Sequence, residues 1–392
     1  MTAEQEALRM AVRGVLARHA SGRSVAETTE STAGDDTELW RVLCGQIGVA
    51  GLAVPERFGG LGAGLVETHV VLDELGRTLT PSPMLGCAVL AGQALLRTGD
   101  ESACRRILPD LVTGRRLAAL AWTDHHGDWD PHRPAYSVTE GGRLTGEAHH
   151  VLDAHLADVL VVAAGTPAGT RLFEVDPRGA GVRRHLVTTM DLTRRLAVVT
   201  LDGAPGHRLG DTNPLEWVRD VACVALSAEQ VGAAARALEL TVAHALTRVQ
   251  FGRPIGGFQA LAHRLADLRV VVDSARSLSY AAASSLDADA PDADLLAAGA
   301  AVYCAEALEQ AAAEMIQLHG GIGITWEHDA HRYFKRAHGA AHLFGHARAH
   351  VARLAETVVG GGDQIQSVCR GHASRVSTTS GGACDETGAA SV

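Results

Sequence analysis

Apolar and polar positions over the first 115 residues recur at helical spacing. In EQEALRMAVRGVLARHA, the apolar residues Leu8, Val12, Val15 and Leu16 draw a single stripe along one helix face. ELWRVLCGQIGVAGL and LVETHVVLDELGRTL repeat that pattern, with VPERFGGLGAG as a glycine-rich break between them. GCAVLAGQALLRTG and ESACRRILPDLVTG each stop at glycine, the residue that most easily takes the left-handed turn ending a helix.

Near residue 116 the period shortens. LAALAWTD, DVLVVAAG, TRLFEVDP and RLAVVTLDG are short valine-rich runs bounded by Gly, Pro or Asp. They predict strands, and GTPAGT joins two of them as a hairpin-like turn. Helical patterning returns from about 212 to 358 in alanine-rich segments such as LSAEQVGAAARALELTVAHALTRVQ and DLLAAGAAVYCAEALEQAAAEMIQLHG. Their small side chains suit close helix–helix packing in a bundle. The remaining residues hold few large apolar side chains and much Gly, Ser and Thr, too little to offset the entropy of ordering them. The expected organisation is mostly α with a middle β-domain: an α-helical domain at 1–115, a β-domain at 116–211, a helical bundle at 212–358 and a disordered tail at 359–392. Helices and strands do not alternate as in a doubly wound sheet, and no glycine-rich strand-to-helix turn stands in the first half.

Composition narrows the function classes. A net charge of −10 leaves no basic field to neutralise phosphates, which argues against a nucleic-acid binder. Lys335 is the only lysine. The seven cysteines form no CxxC pair and no regular spacing, as expected of reduced thiols in a cytoplasm. The N-terminus lacks the basic and apolar blocks of a signal peptide, and no run approaches the roughly 20 apolar residues that span a bilayer. A cytoplasmic protein without a membrane partner is the expectation.

Two segments are more specific: RVQFGRPIGGFQALAHRLADL from Arg248 and QLHGGIGITWEHDAHRYFKRA from Gln317. An arginine at a helix end, with an aromatic residue three positions on, can clamp a pyrophosphate and pack on a ring. Gly320 and Gly321 let backbone amides approach a phosphate that a Cβ would hold away. With this spacing and block order, the chain resembles the acyl-CoA dehydrogenase family over about residues 3 to 358. The resemblance implies that family's fold: an N-terminal helical domain, a β-barrel-like middle domain and a C-terminal four-helix bundle. It also implies FAD bound between domains and across a subunit interface. The implied reaction is α,β-desaturation of an acyl thioester presented by CoA or a carrier protein. The α-proton goes to a glutamate and hydride leaves Cβ for flavin N5. A homotetramer or a heterotetramer with a homologous subunit, and a separate electron acceptor, come with it.

Carried over position by position, Arg248 and Phe251 match residues that touch the partner subunit's FAD, and Gln259, Gln317 and Gly321 match further contacts to its ADP half. AWTD resembles the family's flavin-contacting strand end, so Thr123 would hydrogen-bond the isoalloxazine and Trp122 would supply backbone contacts. DWDP, with Trp129 and Asp130, stands in place of a Gly-Ser-Asp segment. His150 and Leu152 fall where the family often has an aromatic and a hydroxyl residue, and Ala148 where a lysine is common.

The glutamate is missing. Its commoner position falls on Phe344 and its alternative on Ala222, and neither can take a proton. His346, His342, Asp220 and Glu229 are the substitute bases within reach by sequence; an imidazole has the right pKa range. Alternatively the chain is the non-catalytic subunit of a heteromeric dehydrogenase, supplying FAD contacts to a partner with the glutamate. His338, His342, His346 and His350 recur every four residues, a metal-binding spacing on an unbroken helix, but Gly339 and Gly345 interrupt it.

Overall fold

The computed structural model describes residues 1–20 and 36–360. The tail expected at 359–392 lies outside the described residues, apart from Val359 and Gly360, which end the last helix.

The first block is helical: α1 (Ala3–Ala20), α2 (Thr37–Val42), α3 (Leu65–Arg77), α4 (Met84–Arg97) and α5 (Glu101–Val112). Asp36 caps α2 and Asp100 caps α5, each accepting from a backbone amide three residues on. Eight strands follow: β1 (Ala118–Ala121), β2 (Tyr136–Val138), β3 (Leu144–Leu152), β4 (Val159–Thr166), β5 (Gly169–Val175), β6 (Val182–Val187), β7 (Leu196–Ala204) and β8 (His207–Leu209). They form one mixed sheet of order β6-β7-β3-β2-β4-β5-β8, with β1 also on β4. Among the described residues no ladder joins β6 to β8, the two ends of that order. The apolar runs read as strands are all there; β6 and β8, with arginines and histidines along them, carry too weak an alternation to be read.

One detail of the sheet positions the site. β1 pairs with the first half of β4 and β2 with its end, both in parallel, so the two strands share one edge. The chain between them, residues 122–135, must therefore leave the sheet and return to it. That excursion carries AWTD and DWDP.

The last block holds α6 (Leu215–Thr247), a short hairpin of β9 (Val249–Gln250) and β10 (Arg253–Pro254), α7 (Gln259–Asp287), α8 (Ala293–His319), α9 (Ala330–Ala340) and α10 (Ala347–Gly360). α6 begins eleven residues before the alanine-rich run that announces it. It is long and apolar enough by composition to cross a membrane, contrary to the sequence expectation that no segment would be. However, 83% of its most apolar window is buried inside the protein, where it packs against α3, α7 and α8. Asp287, closing α7, accepts from the amides of Leu65 and Val66 and so caps α3 from a different block. The five described cysteines, Cys44, Cys87, Cys104, Cys223 and Cys304, are free and buried.

Candidate active site

The excursion between β1 and β2 is tied by Asp124, which accepts from the amides of His126 and Asp128. Opposite it, β3 carries a register shift between Ala148 and Val151, where His150 takes φ +54°. A bulge of this kind frees a backbone carbonyl from the ladder. The carbonyl of His149 accepts the Thr123 hydroxyl at 2.6 Å. Thr123 is 1% exposed, so its hydroxyl proton is already committed within the chain.

Phe344 stands between α9 and α10 in the left-handed region, φ +63°, and Gly345 follows at +115°. A bulky residue holds such a backbone only where its surroundings impose it. Here the ring is buried: it stacks on Trp122 with centroids 6.4 Å apart and meets Trp129 edge-on at 5.6 Å. Trp129 stacks in turn on His150. Ala222 is fully buried in the same apolar core as Phe344 and Trp122.

The substitute bases are placed as follows. Glu229 bonds Arg194 and Arg336, which together tie the β6–β7 loop to α6 and α9; it is a buried counter-ion. Asp220 pairs with Arg353 at 2.6 Å and Arg219 at 3.4 Å; burial raises its pKa against the pull of both guanidiniums. His342 and His346 are exposed and meet each other, Nδ1 to Nδ1 at 3.2 Å. Of these four only His346 lines the cavity beside Phe344, which measures about 820 Å3. The histidine series scatters: His338 lies against Phe334 and His350 is buried near Cys223, 3.9 Å from its sulfur. Burial, with Arg353 and Arg219, pushes His350 down to about 4, against the nearby carbonyls of Phe344 and Gly345. His350, Arg353 and Arg219 line the cavity too; only His350 was named from sequence, as a member of the histidine series. Their only signal is the helical spacing of His350 and Arg353, three residues apart on one face.

The other predicted contacts gather at the ends of α6 and α8. Arg248 caps α6, and Phe251 projects from the β9–β10 hairpin at φ +52°, 93% exposed. Gln259 opens α7, Gln317 lies on the last turn of α8, and Gly320 ends that helix at φ +63°. The two helix ends lie side by side, with His244 stacked on His319 at a centroid distance of 4.2 Å, and His328 lies tilted against His319 at 4.4 Å. A Cβ on Gly320 or Gly321 would meet nothing within 4 Å, so these glycines are not demanded by the chain's own packing. An exposed guanidinium, an exposed aromatic ring and open backbone amides together fit the adenosine diphosphate half of FAD. On the isoalloxazine side, the ring at 344 lies in stacking range of Trp122, the Thr123 hydroxyl is already bonded within the chain, and Leu152 offers no hydroxyl.

Residues 2–115 match the family described as acyl-CoA dehydrogenase, N-terminal domain, and residues 220–359 match acyl-CoA dehydrogenase, C-terminal domain. A relative from Mycolicibacterium smegmatis, acyl-CoA dehydrogenase IpdE2, is 41% identical over 355 residues, covering 90% of this chain and 98% of its own. Among solved structures, a variant of the Tcur3481–Tcur3483 steroid ACAD superposes with a TM-score of 0.84 at 33% identity, over 91% of this chain and 98% of that one. The ChsE4–ChsE5 complex from Mycobacterium tuberculosis does so with 0.84 at 31% identity, over 92% and 98%.

Proposed function

The chain belongs to the acyl-CoA dehydrogenase family, oxidoreductases acting on CH–CH bonds, and from that premise we propose that it works as one subunit of a heteromeric acyl-CoA dehydrogenase. In this reading a homologous partner carries the glutamate and seats the flavin ring. When bound, FAD supplies the acceptor for the hydride leaving Cβ of the thioester. This chain contributes the far half of that site: Arg248 neutralises diphosphate charge, the amides at Gly320 and Gly321 hydrogen-bond it, and Phe251, Gln259 and Gln317 pack around the adenosine. On its own ring side stand Trp122 and Phe344.

The observation that carries the reading is the Phe344–Trp122 stack. It sets an aromatic ring in place of the base while the exposed contacts at the ends of α6 and α8 persist. Two of the similar structures named above pair two different chains, which supports a homologous partner. The steroid named for one of them makes a ring-bearing acyl thioester the first substrate to test.

The test is co-expression with a homologue that carries the glutamate. The chain alone should purify colourless, and the pair should hold one FAD per two different chains and reduce it with an acyl-CoA. A chain that alone binds FAD and oxidises a thioester overturns the reading.

A further inference from the structure

Three imidazoles meet where the ends of α6 and α8 come together, and each is fixed to a different element. His244 lies on the last turn of α6, where its carbonyl accepts the Arg248 amide at 2.8 Å. His319 is the last residue of α8, 7% exposed, and its ring meets both of the others. His328 stands before α9, and its Nδ1 accepts the amide of Ala330, the first residue of that helix, at 3.1 Å. The same backbones carry the diphosphate contacts: Arg248 follows His244 by one turn, and Gly320 and Gly321 follow His319 directly. A glycine has no side chain with which to fix its own amide, so the alignment of these two falls to the residues around them. Backbone groups also set the tautomers. His319 Nδ1 donates to the Met315 carbonyl at 2.7 Å, whereas His328 Nδ1 must stay bare to accept an amide. Burial pushes His244 below the ordinary histidine range, with His328 and Arg248 adding to it. Burial lowers His319 as well, opposed by its bond to Met315 and helped by His244 and His328. A proton added to His328 must displace the Ala330 amide, and one added to His319 faces two further imidazoles, one of which already feels the Arg248 charge. On the α9 side Asp329 is held by Arg332 at 2.7 Å, Glu327 is exposed, and His331 and Lys335 lie against Trp326.

We propose that His319 is a positioning residue for the adenosine diphosphate half of FAD: by meeting His244 and His328 as an uncharged ring, it sets Arg248 and the amides of Gly320 and Gly321 towards one diphosphate. It rests on the reading that this half of FAD lies on this chain, and adds that acid loosens the site by charging the joint.

Isothermal titration of the purified full chain with ADP-ribose tests it without a partner subunit or a flavin ring. The diphosphate of this probe is a diester, so it keeps its charge between about pH 5, below the ordinary histidine range, and about pH 7.5, above it. His319→Ala should weaken binding about tenfold at the higher pH, and His319→Phe, which keeps a flat ring, should stay within about twofold of the parent. Acidification should weaken binding by the parent, and His319→Phe should lose most of that pH difference. Thermal unfolding shows whether His319→Ala folds; where it does not, parent and His319→Phe compared at the two pH values decide. The heteromeric reading is judged separately, by the FAD content of the co-expressed pair. No binding by the parent in the millimolar range, undiminished affinity in a folded His319→Ala, His319→Phe as weak as a folded His319→Ala, tighter binding by the parent in acid, or one pH profile shared by parent and His319→Phe would each overturn the proposal.

Discussion

Phe344 holds a backbone conformation that an aromatic side chain rarely takes, which costs about 1–3 kcal/mol. Burying its ring is worth about 1.5–3 kcal/mol by itself, and contact with Trp122 and Trp129 adds to that. The balance requires the ring: Phe344→Ala keeps the strained turn and loses the filling, so the chain should lose about 3–5 kcal/mol. Urea unfolding measures it, and a loss below about 1 kcal/mol would show that the stack does not hold the turn. His69 gives a second expectation. It is buried between α3 and α7, bonded to Ser279 Oγ at 2.7 Å, and burial, with Arg276 and Arg9, lowers its pKa from 6.5 to about 3. A histidine kept neutral when folded stabilises above its unfolded pKa, and that contribution is lost as pH falls. Between 6.5 and about 3 the unfolded chain binds the extra proton, costing about 1.4 kcal/mol per pH unit for this group. His69→Gln should flatten the acid slope of unfolding stability by that amount; an unchanged slope would mean His69 is not neutral in the fold. Of these residues, only the loss of the base at 344 was legible in the sequence, from its distance to Gln317. The stack itself joins residues 122, 129, 150 and 344, and no local pattern relates positions so far apart in the chain.

At the scale of elements, the helical stripes and the apolar strands were readable because each periodicity is local. What decided the site was not: the shared edge of β4, the bulge at His149 and His150, and the crossing of α3 and α6. That crossing is made at backbone contact. A Cβ on Gly76 would lie 2.2 Å from the Glu229 carbonyl oxygen, and one on Gly232 would lie 2.0 Å from that of Asp73. Both collisions are with backbone of the opposing helix, which has no rotamer with which to yield. An alanine here gains about 1 kcal/mol of helix preference and meets an overpacking cost of about 1–3 kcal/mol or more. With a backbone clash this close the cost lies at the upper end, so Gly232→Ala should destabilise by about 2 kcal/mol or more in chemical denaturation, although the same change on an exposed helix face would stabilise. A neutral or stabilising result would mean the two helices separate easily. Neither glycine is marked out in the sequence, because nothing local shows which neighbour comes close.

For the whole molecule, the two groups of expected cofactor contacts separate into one that the chain buries and one that it displays. Trp122 and Thr123 are 2% and 1% exposed, whereas Phe251 is 93% exposed on a hairpin beside the open turn at Gly320. An apolar ring displayed in this way does nothing for the stability of the single chain. If it packs on a cofactor held by a homologous subunit, its loss should be visible only in the assembly. Phe251→Ala and Arg248→Ala should thus leave unfolding of the isolated chain within about 0.5 kcal/mol of the parent, the range of ordinary surface changes. In the co-expressed pair the same substitutions should lower FAD content, Arg248→Ala the more because it removes a charge facing a diphosphate. Phe344→Ala should behave in the opposite sense, weakening the isolated chain while a partner that folds with it keeps its flavin. FAD content and unfolding stability, measured on all three variants, form a crossed pattern that neither a self-sufficient flavoenzyme nor a cofactor-free scaffold produces. A self-sufficient enzyme would lose flavin in every variant, and a scaffold without a cofactor role would lose it in none.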